Sequence, residues 1–298
     1  MARTFSIITT CKGRLDHLKQ TLPKMLGQGA KEVIVVDFSC PQGTGEWVTA
    51  NFPAARVVAV RNQDYFSNWK ARNAGASVAN SDVLAFVDAD TFLAEDAIDR
   101  LSKSFPEQAF GYFDRKASRA SNKDGPRLGA NQLKGFHVIP TAAFRRLGGY
   151  DEVLEGYAAG ADTDLEERLI RMKLAKHVLD SAIVESVIQH DAASRTEHHA
   201  EPVSRSYGAG LLYRAAKRVL LRVRGEAELP LRLRQNLYEA SRNAVGTLGT
   251  DRDSVILNVT LGQDPIMMPR QLGYERGVQS VSLRVELSLE EKLAEIPE

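Results

Sequence analysis

Cysteine is scarce in this sequence. Cys11 and Cys40 are the only two among 298 residues, which excludes a disulfide framework and a zinc site built from cysteines alone. Each cysteine follows a predicted strand, so the two side chains can lie close together in the fold. We expect both to be reduced and packed, because a free cysteine behaves as a small apolar side chain.

Excess charge and long apolar runs are absent as well. The chain carries 39 Lys and Arg against 38 Asp and Glu, for a net charge of +1, so its overall charge favours neither nucleic acid nor an acidic partner. No apolar stretch approaches the roughly 20 residues of a membrane-spanning helix. Residues 1–5 run into a predicted strand without the apolar core of a signal peptide. These absences predict a cytoplasmic protein.

What the sequence does contain is an alternation of strand and helix patterns in its first third. Apolar, β-rich runs predict strands at 4–9, 32–36, 56–60 and 83–87. Helical periodicity between them predicts helices at 14–26, 44–51 and 66–79. This order is typical of a three-layer α/β fold with a mostly parallel, Rossmann-like sheet. No G-x-G-x-x-G follows the first strand, which counts against a dinucleotide-binding fold.

The rest of the chain is less regular and changes character near residue 200. Residues 118–129 are polar and rich in turn formers, and we expect a mobile loop over the site there. The pattern predicts strands at 132–139 and 182–190 and helices at 141–147, 162–176, 204–224 and 231–245, followed by alternating strands around 255–261 and 281–287. We therefore predict a domain at 1–200 and a C-terminal extension of helices and two strands at 201–298. Those strands would offer an edge through which two copies could pair as a homo-oligomer.

Two carboxylates stand one residue apart in Asp88-Ala89-Asp90, directly after the predicted strand at 83–87. That strand is apolar on both faces, as in a buried parallel sheet, and open α/β sheets bind ligands at the carboxyl ends of their strands. Hard cations such as Mg²⁺ and Mn²⁺ prefer such oxygen ligands. Taken alone, the motif is equally compatible with a solvated turn, where Asp is common.

Four motifs occur in an order that resembles a known family. They are Ile7-Ile8-Thr9-Thr10, Lys70-Ala71-Arg72-Asn73-Ala74-Gly75, Asp88-Ala89-Asp90, and Gly148-Gly149-Tyr150-Asp151-Glu152 with Gly156-Tyr157 and Asp162-Thr163-Asp164-Leu165 after it. The order resembles the GT-A fold glycosyltransferases, specifically the family 2 type with a galactosyltransferase-like motif in its second half. The resemblance spans about residues 4–190. It implies a GT-A sheet and the transfer of a sugar from a nucleotide donor.

The resemblance implies a nucleotide site at the ends of the first strands. The residues that correspond to the family's nucleotide contacts are Thr9, Thr10, Asp37, Lys70, Arg72 and Asp88. Asp37 would meet the base and Asp88 the ribose, while a cation suits the diphosphate leaving group. Lys70 could equally be a solvated helix residue. The family more often has two acids where this chain has Asp37-Phe38, which leaves the identity of the base open.

The resemblance also implies a metal site and a general base. Asp90 and His190 correspond to ligands of Mn²⁺ or Mg²⁺, although a histidine after a strand can also be structural. Asp162 corresponds to the base that takes the proton of the acceptor hydroxyl in an inverting transfer. The family usually has a glutamate before it, where this chain has Ala161. Asp162 and Asp164 are also suited to capping a helix, and the two roles do not exclude each other.

Together these correspondences imply a metal-dependent inverting glycosyltransferase. It would move a sugar from a nucleotide-diphosphate donor, with UDP-sugars favoured, to a hydroxyl of a glycan or glycolipid. A retaining transferase or a nucleotidyltransferase is a second hypothesis, and the lack of a Ser/Gly-rich basic loop after the first strand counts against nucleotidyl transfer. A third hypothesis, suggested by Ala161, is a catalytically inactive subunit that binds nucleotide sugars or acts as a scaffold.

The helix predicted at 204–224 is basic and amphipathic. Such a helix can rest on an anionic membrane as a peripheral contact, which would suit a lipid-linked acceptor. It can also pack on its own domain with a solvated basic face. The second interpretation is the one we favour.

Overall fold

A computed structural model describes residues 3–114, 133, 135–189, 196–200, 202–246, 254–270 and 273–288, and the side chains of all of these except those within 261–281. The chain divides into two compact units. The first comprises Met1–Glu152 and Ala161–Ala200, and the second comprises Val153–Gly160 and Glu201–Glu298. The loop predicted at 118–129 lies outside the described residues. Within the described ranges, no helix has the length and apolar character needed to span a bilayer.

The first unit contains the strands β1 (Phe5–Cys11), β2 (Glu32–Phe38), β3 (Arg56–Val60), β4 (Val83–Phe86), β5 (Thr91–Leu93), β6 (Ala109–Tyr112), β7 (His137–Pro140), β8 (Ala175–Val178) and β9 (Val184–Val187). Seven of them form one sheet in the order β3-β2-β1-β4-β7-β6-β8, and β5 pairs separately with β9. Within the sheet, β7 runs antiparallel to both its neighbours while the other pairings are parallel. The prediction of a mostly parallel α/β sheet is confirmed.

The helices of the first unit are α1 (Leu15–Leu26), α2 (Thr44–Asn51), α3 (Asn68–Val78), α4 (Ala97–Ser104), α5 (Thr141–Arg146) and α6 (Ala161–Arg171), with a 3₁₀ turn at Ser181–Ile183. Every residue of β1 is buried, so alternate side chains must be covered on opposite faces. Ile7 joins the core cluster that contains Leu18 and Leu22 of α1. Ile8, on the other face, lies against Gly75 of α3. The sheet is thus the middle of three layers.

The chain reverses its direction of travel across the sheet at β1. It passes from β1 to β2 and β3 on one side, and then crosses to β4 on the other side. A crevice opens at the carboxyl ends of strands where the strand order reverses in this way, and ligands of open α/β sheets bind there. The crevice between β1 and β4 is therefore where the site belongs.

Helix α3 lies unusually close to the sheet because of Gly75. A Cβ atom at this position would come within 2.6 Å of the Ile8 Cγ2 atom and 2.9 Å of the Val36 Cγ2 atom, so only glycine allows the approach. Ser67 caps the helix by accepting a hydrogen bond from the Lys70 N–H at 3.4 Å. The close approach fixes which side chains of α3 reach the crevice.

Element boundaries in the second half of this unit depart from the prediction. The helix predicted at 162–176 ends at Arg171, because Lys173 adopts a left-handed φ of 65° and the chain continues as β8. The strand predicted at 132–139 begins only at His137. The strand predicted at 182–190 is a 3₁₀ turn followed by β9. The elements β5, α4 and β6 were not predicted; β5 and β6, with three and four residues, offer too few for a periodic pattern.

The described residues of the second unit form two helices, α7 (Val203–Arg224) and α8 (Leu231–Val245), and an antiparallel pair of strands, β10 (Ser254–Arg270) and β11 (Gly273–Ser288). The rings of Tyr213 and Tyr238 meet edge to face across the two helices, with centroids 5.5 Å apart. Lys217 is buried and donates a hydrogen bond to Glu228 at 2.9 Å. This cation is therefore used inside the unit, which supports the packed interpretation of the basic helix over the membrane-facing one.

Candidate active site

Two threonines line the carboxyl end of β1. Thr9 is buried, and its hydroxyl has no hydrogen-bond partner among the described residues. Thr10 is also buried and donates to the Asn68 Oδ1 atom at the start of α3, at 2.9 Å. The two side chains lie at the strand end where the sequence placed the border of a nucleotide pocket.

Arg72 is the centre of the crevice next to β4. It is 1% exposed, and its guanidinium bonds the Asp88 Oδ1 atom at 2.6 Å through Nη2. Its Nη1 atom lies 3.0 Å from the Tyr150 hydroxyl oxygen and 3.7 Å from the Asp162 Oδ1 atom. Arg72 therefore joins two carboxylates that are far apart in the sequence.

The surroundings of Arg72 keep it charged in spite of its burial. Burial alone would lower the pKa of Arg72, but the neighbouring Tyr150, Asp88 and Asp162 raise it above its ordinary value. Burial also raises the pKa of Tyr150, so its phenol stays protonated. The cluster thus presents one buried cation to two carboxylates.

Gly135 closes the crevice from the β7 side. A Cβ atom at this position would collide with the Asp88 Oδ2 atom and come within 2.9 Å of the Arg72 Nη2 atom. The backbone before β7 can therefore approach this ion pair only because residue 135 lacks a side chain. Asp88 itself keeps a third of its side chain exposed, which leaves it open to a ligand.

Asn73 explains why two distant motifs occur together. Its Nδ2 atom donates to the Tyr150 carbonyl at 2.9 Å and to the Glu152 Oε1 atom at 2.8 Å, and its Oδ1 atom accepts from the Tyr150 N–H at 2.9 Å. Gly149, with a φ of 77°, makes the turn that brings this segment against α3. The Ala71-Arg72-Asn73 motif therefore anchors the Gly-Gly-Tyr-Asp-Glu motif.

The two acids at the start of α6 have different surroundings. Asp164 is buried and pairs at 2.7 Å with Arg168, whose guanidinium also donates to the Leu147 and Gly149 carbonyls at 3.1 and 2.9 Å. Asp164 thus has a structural partner inside its own helix. Asp162 instead faces Arg72 and the crevice.

Asp90 lies half-buried just beyond β4 and close to the segment that leads to His190. Its backbone carbonyl accepts a hydrogen bond from the Ile188 N–H at 2.8 Å, next to the pairing of β5 with β9. The Thr91 hydroxyl lies 3.5 Å from the Asp90 Oδ1 atom. His190 itself lies outside the described residues, so its role as a ligand stays a prediction.

Asp37 is placed differently from what its motif suggested. The strand β2 extends to Phe38, so Asp37 lies within it and is fully buried. Its Oδ1 atom accepts from the Cys40 N–H at 2.8 Å, and its Oδ2 atom accepts from the Gly45 N–H at 3.1 Å. Arg61 adds a contact at 3.4 Å. In this structure the carboxylate stabilises the loop after β2 through these hydrogen bonds. Its contact with the base of the nucleotide stays a prediction.

Lys70 and Arg72 lie on different faces of α3. Arg72 points into the crevice, whereas Lys70 is half-buried and lines a cavity of about 580 Å³ together with Phe38 and Arg145. Neither Asp88 nor Asp90 lines this cavity. The two cations of the motif are therefore not brought together, and the nucleotide contact of Lys70 stays a prediction.

Lys12 is a buried cation near the strand ends that the sequence analysis did not single out. It is 7% exposed, and its ammonium group donates to the Ser39 and Gln63 carbonyls at 3.0 and 2.7 Å. It thereby ties the end of β1 to the loops after β2 and β3. A lysine between Cys11 and Gly13 at a strand end carried no pattern that would have singled it out.

The two cysteines lie in hydrogen-bonding contact, as the sequence allowed, and both are free and buried. The Thr44 hydroxyl donates to the Cys11 sulfur and the Gly13 N–H to the Cys40 sulfur, each at 3.2 Å. The hydrogen bond from Cys11 lowers the pKa of the Cys40 thiol and that same contact raises the pKa of Cys11.

His137 is a second residue that the sequence analysis missed. It opens β7 with no exposed surface, and lies 3.7 Å from the Asp162 Oδ1 atom and 3.4 Å from the Glu166 Oε1 atom. A histidine inside an apolar strand is the signal that could have drawn attention to it, because a buried imidazole needs polar partners.

Comparison with known proteins connects this geometry to an enzyme class. Residues 6–142, just under half of the chain, match the sequence model described as "Glycosyl transferase family 2". No curated protein sequence matches the chain.

Two solved structures share the fold. A mannosyltransferase from Pyrobaculum calidifontis, PcManGT, in complex with GDP-Man and Mn²⁺, is 14% identical with a TM-score of 0.54, over 84% of this chain and 77% of that one. The S. aureus TarS fragment 1–349 in complex with UDP-GlcNAc is 14% identical with a TM-score of 0.56, over 83% and 74%. At this identity the likeness establishes the fold alone. The chain carries a glycosyl transferase family 2 domain with the GT-A fold, which places it among the glycosyltransferases.

Proposed function

We propose that this protein is a metal-dependent, inverting glycosyltransferase that moves a sugar from a nucleotide-diphosphate donor to a hydroxyl of a glycan or glycolipid. The observation that carries the proposal is the shared contact of Asp88 and Asp162 with one guanidinium. Asp88 follows β4 and Asp162 opens α6, yet both carboxylates lie within 4 Å of Arg72. A donor-binding acid and a candidate base thus share one crevice.

The proposed reaction assigns the proton and the bond changes to named groups. Asp162 accepts the proton of the acceptor hydroxyl while that oxygen forms a bond to the anomeric carbon from the face opposite the leaving group. The bond between the anomeric carbon and the diphosphate oxygen breaks, and the nucleoside diphosphate departs with its electron pair. Arg72, held in the crevice by Asp88, contributes positive charge close to where that negative charge develops.

The nucleotide is proposed to lie over the carboxyl ends of β1, β2 and β4. Thr9 and Thr10 border it at β1, and Asp88, whose side chain is one-third exposed, meets the ribose. Asp37 holds the loop after β2, and this loop faces the base of the nucleotide. We propose that residues 1–200 form the transferase domain and residues 201–298 an extension, and that the enzyme acts in the cytoplasm.

The carboxylate oxygens at the end of β4 suit a divalent cation as ligands. The described ligand candidate is the half-buried carboxylate of Asp90. It follows the one-third exposed Asp88 by two residues, and hard oxygen ligands suit Mg²⁺ and Mn²⁺. We propose that Asp90 and His190 would hold the ion. When bound, it would supply Lewis-acid stabilisation of the nucleoside diphosphate.

Donor hydrolysis with product analysis tests the proposal. The purified protein is incubated with UDP-sugars and GDP-mannose, with Mn²⁺ or with EDTA. We expect release of nucleoside diphosphate from one donor, its loss in EDTA, and a free sugar whose first-formed anomer, observed by NMR, has the configuration opposite to that of the donor. A first-formed sugar with the same anomeric configuration as the donor would identify a retaining enzyme. Tight donor binding without any release of nucleoside diphosphate would identify an inactive binding subunit.

A further inference from the structure

The two cysteines of this chain come from neighbouring strands and meet in one core cluster. Cys11 ends β1, and Cys40 lies two residues beyond the end of β2. A hydrogen bond joins the two side chains. Cys11 is completely buried, whereas Cys40 is 9% exposed. Solvent therefore reaches this pair through the Cys40 sulfur.

The Cys40 sulfur is surrounded by hydrogen-bond donors. The Gly13 N–H donates to it at 3.2 Å, and the Cys11 thiol and the Gln42 N–H donate to it as well. Donors of this kind favour a thiolate, which is the reactive form of cysteine. The hydrogen bond from Cys11, more than any other contact, lowers the pKa of Cys40 to about 5 although burial opposes it. That same contact, together with burial, raises the pKa of Cys11, so Cys40 is the thiolate of the pair and Cys11 the thiol.

We propose that Cys11 and Cys40 form a redox modification site, at which a peroxide converts the two side chains into an intramolecular disulfide that a dithiol reopens. Two observations carry the proposal. The side chains are in contact without being bonded, and one sulfur is accessible while the other is enclosed. None of the motifs that point to sugar transfer includes either cysteine.

The oxidation balances with hydrogen peroxide as the oxidant. The Cys40 thiolate attacks one peroxide oxygen, the O–O bond breaks, and hydroxide leaves a sulfenic acid on Cys40. The Cys11 sulfur then bonds to the Cys40 sulfur, and the S–O bond breaks. The Cys11 proton departs with that hydroxyl group as water, and the first hydroxide takes a proton from solvent. A dithiol reverses the change by thiol–disulfide exchange and becomes a disulfide itself.

The disulfide would act at the carboxyl ends of β1 and β2, and this consequence rests on the proposed function. An S–S bond of about 2.05 Å is shorter than a hydrogen-bonding contact between two sulfurs, so its formation draws the loop after β2 towards β1. The Cys40 N–H holds the Asp37 carboxylate at 2.8 Å, and Thr10 directly precedes Cys11. The proposed nucleotide site uses both of these residues, so we expect oxidation to weaken nucleotide binding.

The first test uses the wild-type protein without any nucleotide. The protein is treated with a small excess of hydrogen peroxide, denatured, alkylated with N-ethylmaleimide and analysed by intact mass spectrometry. Because the chain has only two cysteines, we expect both alkylations to be lost together, with a mass lower by two hydrogen atoms, and dithiothreitol to restore them. A protein that still takes two labels, that carries a sulfinic acid instead, or that forms the disulfide between two copies on a non-reducing gel contradicts the proposal.

C11S and C40S are a matched pair of variants that tests the order of attack. In C11S we expect Cys40 to stop at the sulfenic acid, which dimedone labels. In C40S we expect Cys11 to remain a thiol, because it is buried and its pKa is raised. Dimedone labelling of Cys11 in C40S to the same extent as Cys40 in C11S would overturn the assignment of Cys40 as the attacking thiolate.

Calorimetry with UDP and with GDP, in Mn²⁺, tests the consequence for binding. We expect the dissociation constant of the bound nucleotide to rise several-fold in the oxidised protein and to return after dithiothreitol. Equal affinity in the two forms would contradict the effect on the nucleotide site. A reduced protein that binds neither nucleotide contradicts the proposed function, whereas mass spectrometry still decides whether the disulfide forms.

Discussion

Asp37 and Asp88 carry the same carboxylate at the ends of two strands of one sheet, but their partners differ. Asp37 is fully buried. It accepts from the Cys40 and Gly45 N–H groups, which follow it closely in the chain, and it also contacts Arg61, which follows β3. Asp88 is one-third exposed and binds Arg72. Through Arg72 it is connected to Tyr150 and to Asp162 on α6.

The difference separates a local brace from a network that joins distant elements. The β2 edge is organised by neighbouring backbone N–H groups, so it can form as soon as its own loop forms. The β4 edge needs α3, the Gly-Gly-Tyr turn and α6 to be in place together. We infer that the β2 edge contributes mainly to stability and that the β4 edge combines stability with chemistry.

The largest effect is expected from removing the cation that joins the β4 network. R72M leaves Asp88 and Asp162 without their shared buried partner, and losing one side of a buried ion pair costs about 3–5 kcal/mol. Urea unfolding should show this loss, and donor turnover should be abolished.

R61M is the matched variant at the β2 edge. Arg61 is 57% exposed where it meets the buried Asp37. The Cys40 and Gly45 N–H groups still bind the Asp37 carboxylate when Arg61 is removed, so we expect a smaller loss of unfolding free energy than in R72M. Equal losses of unfolding free energy in R72M and R61M would contradict the distinction between the two edges.

An intermediate effect is expected from D37N. The amide keeps the shape of the side chain but turns one acceptor into a donor that faces a backbone N–H group, at a cost of about 1–3 kcal/mol. The unfolding free energy should fall by that amount. D88N should show the reverse balance, with a smaller loss of stability and a larger loss of donor affinity measured by calorimetry. If D37N is as stable as the wild type, the hydrogen bonds of the Asp37 carboxylate are not what holds the loop after β2.

The smallest effect concerns pH and the outer end of the β4 network. The pKa of Glu166 is lowered in the folded state, despite the burial that opposes this, by the hydrogen bonds from His137 and Lys176. A lowered carboxyl pKa contributes stability that is present above the unfolded pKa of about 4.3 and is lost as the pH falls through the folded value. E166Q should therefore lose less stability than the wild type between neutral pH and pH 3.

The control for this prediction is E185Q, because Glu185 is half-exposed where it pairs with Lys24. Its unfolding free energy, measured over the same pH range, should follow the wild type closely. If the unfolding free energy of E166Q falls more steeply in acid than that of the wild type, then ionised Glu166 is not stabilised by His137 and Lys176 in the folded state.

The order of strands and helices up to β4 could be predicted because each element is long enough to show its own period. Helix α2 and strand β3 have the predicted bounds. The motifs singled out Asp162 as the base. In the structure it faces Arg72 while Asp164 pairs with Arg168, and its role stays a prediction.

What could not be predicted depends on contacts between distant segments. Nothing local in the sequence shows that Gly135 must lack a side chain to pass Asp88, or that His137 lies between two carboxylates. The interior position of Asp37 follows from two more residues of pairing at the end of β2.

The central claim is that Asp162 is the base of an inverting transfer, and the most direct measurement is the kcat of donor hydrolysis in D162N with Mn²⁺ present. Asparagine keeps the size and capping capacity of the side chain but does not accept the proton. The account predicts that kcat falls by about 10²–10⁴ while the donor dissociation constant stays near that of the wild type. A D162N protein that turns over its donor at the wild-type rate would contradict the account.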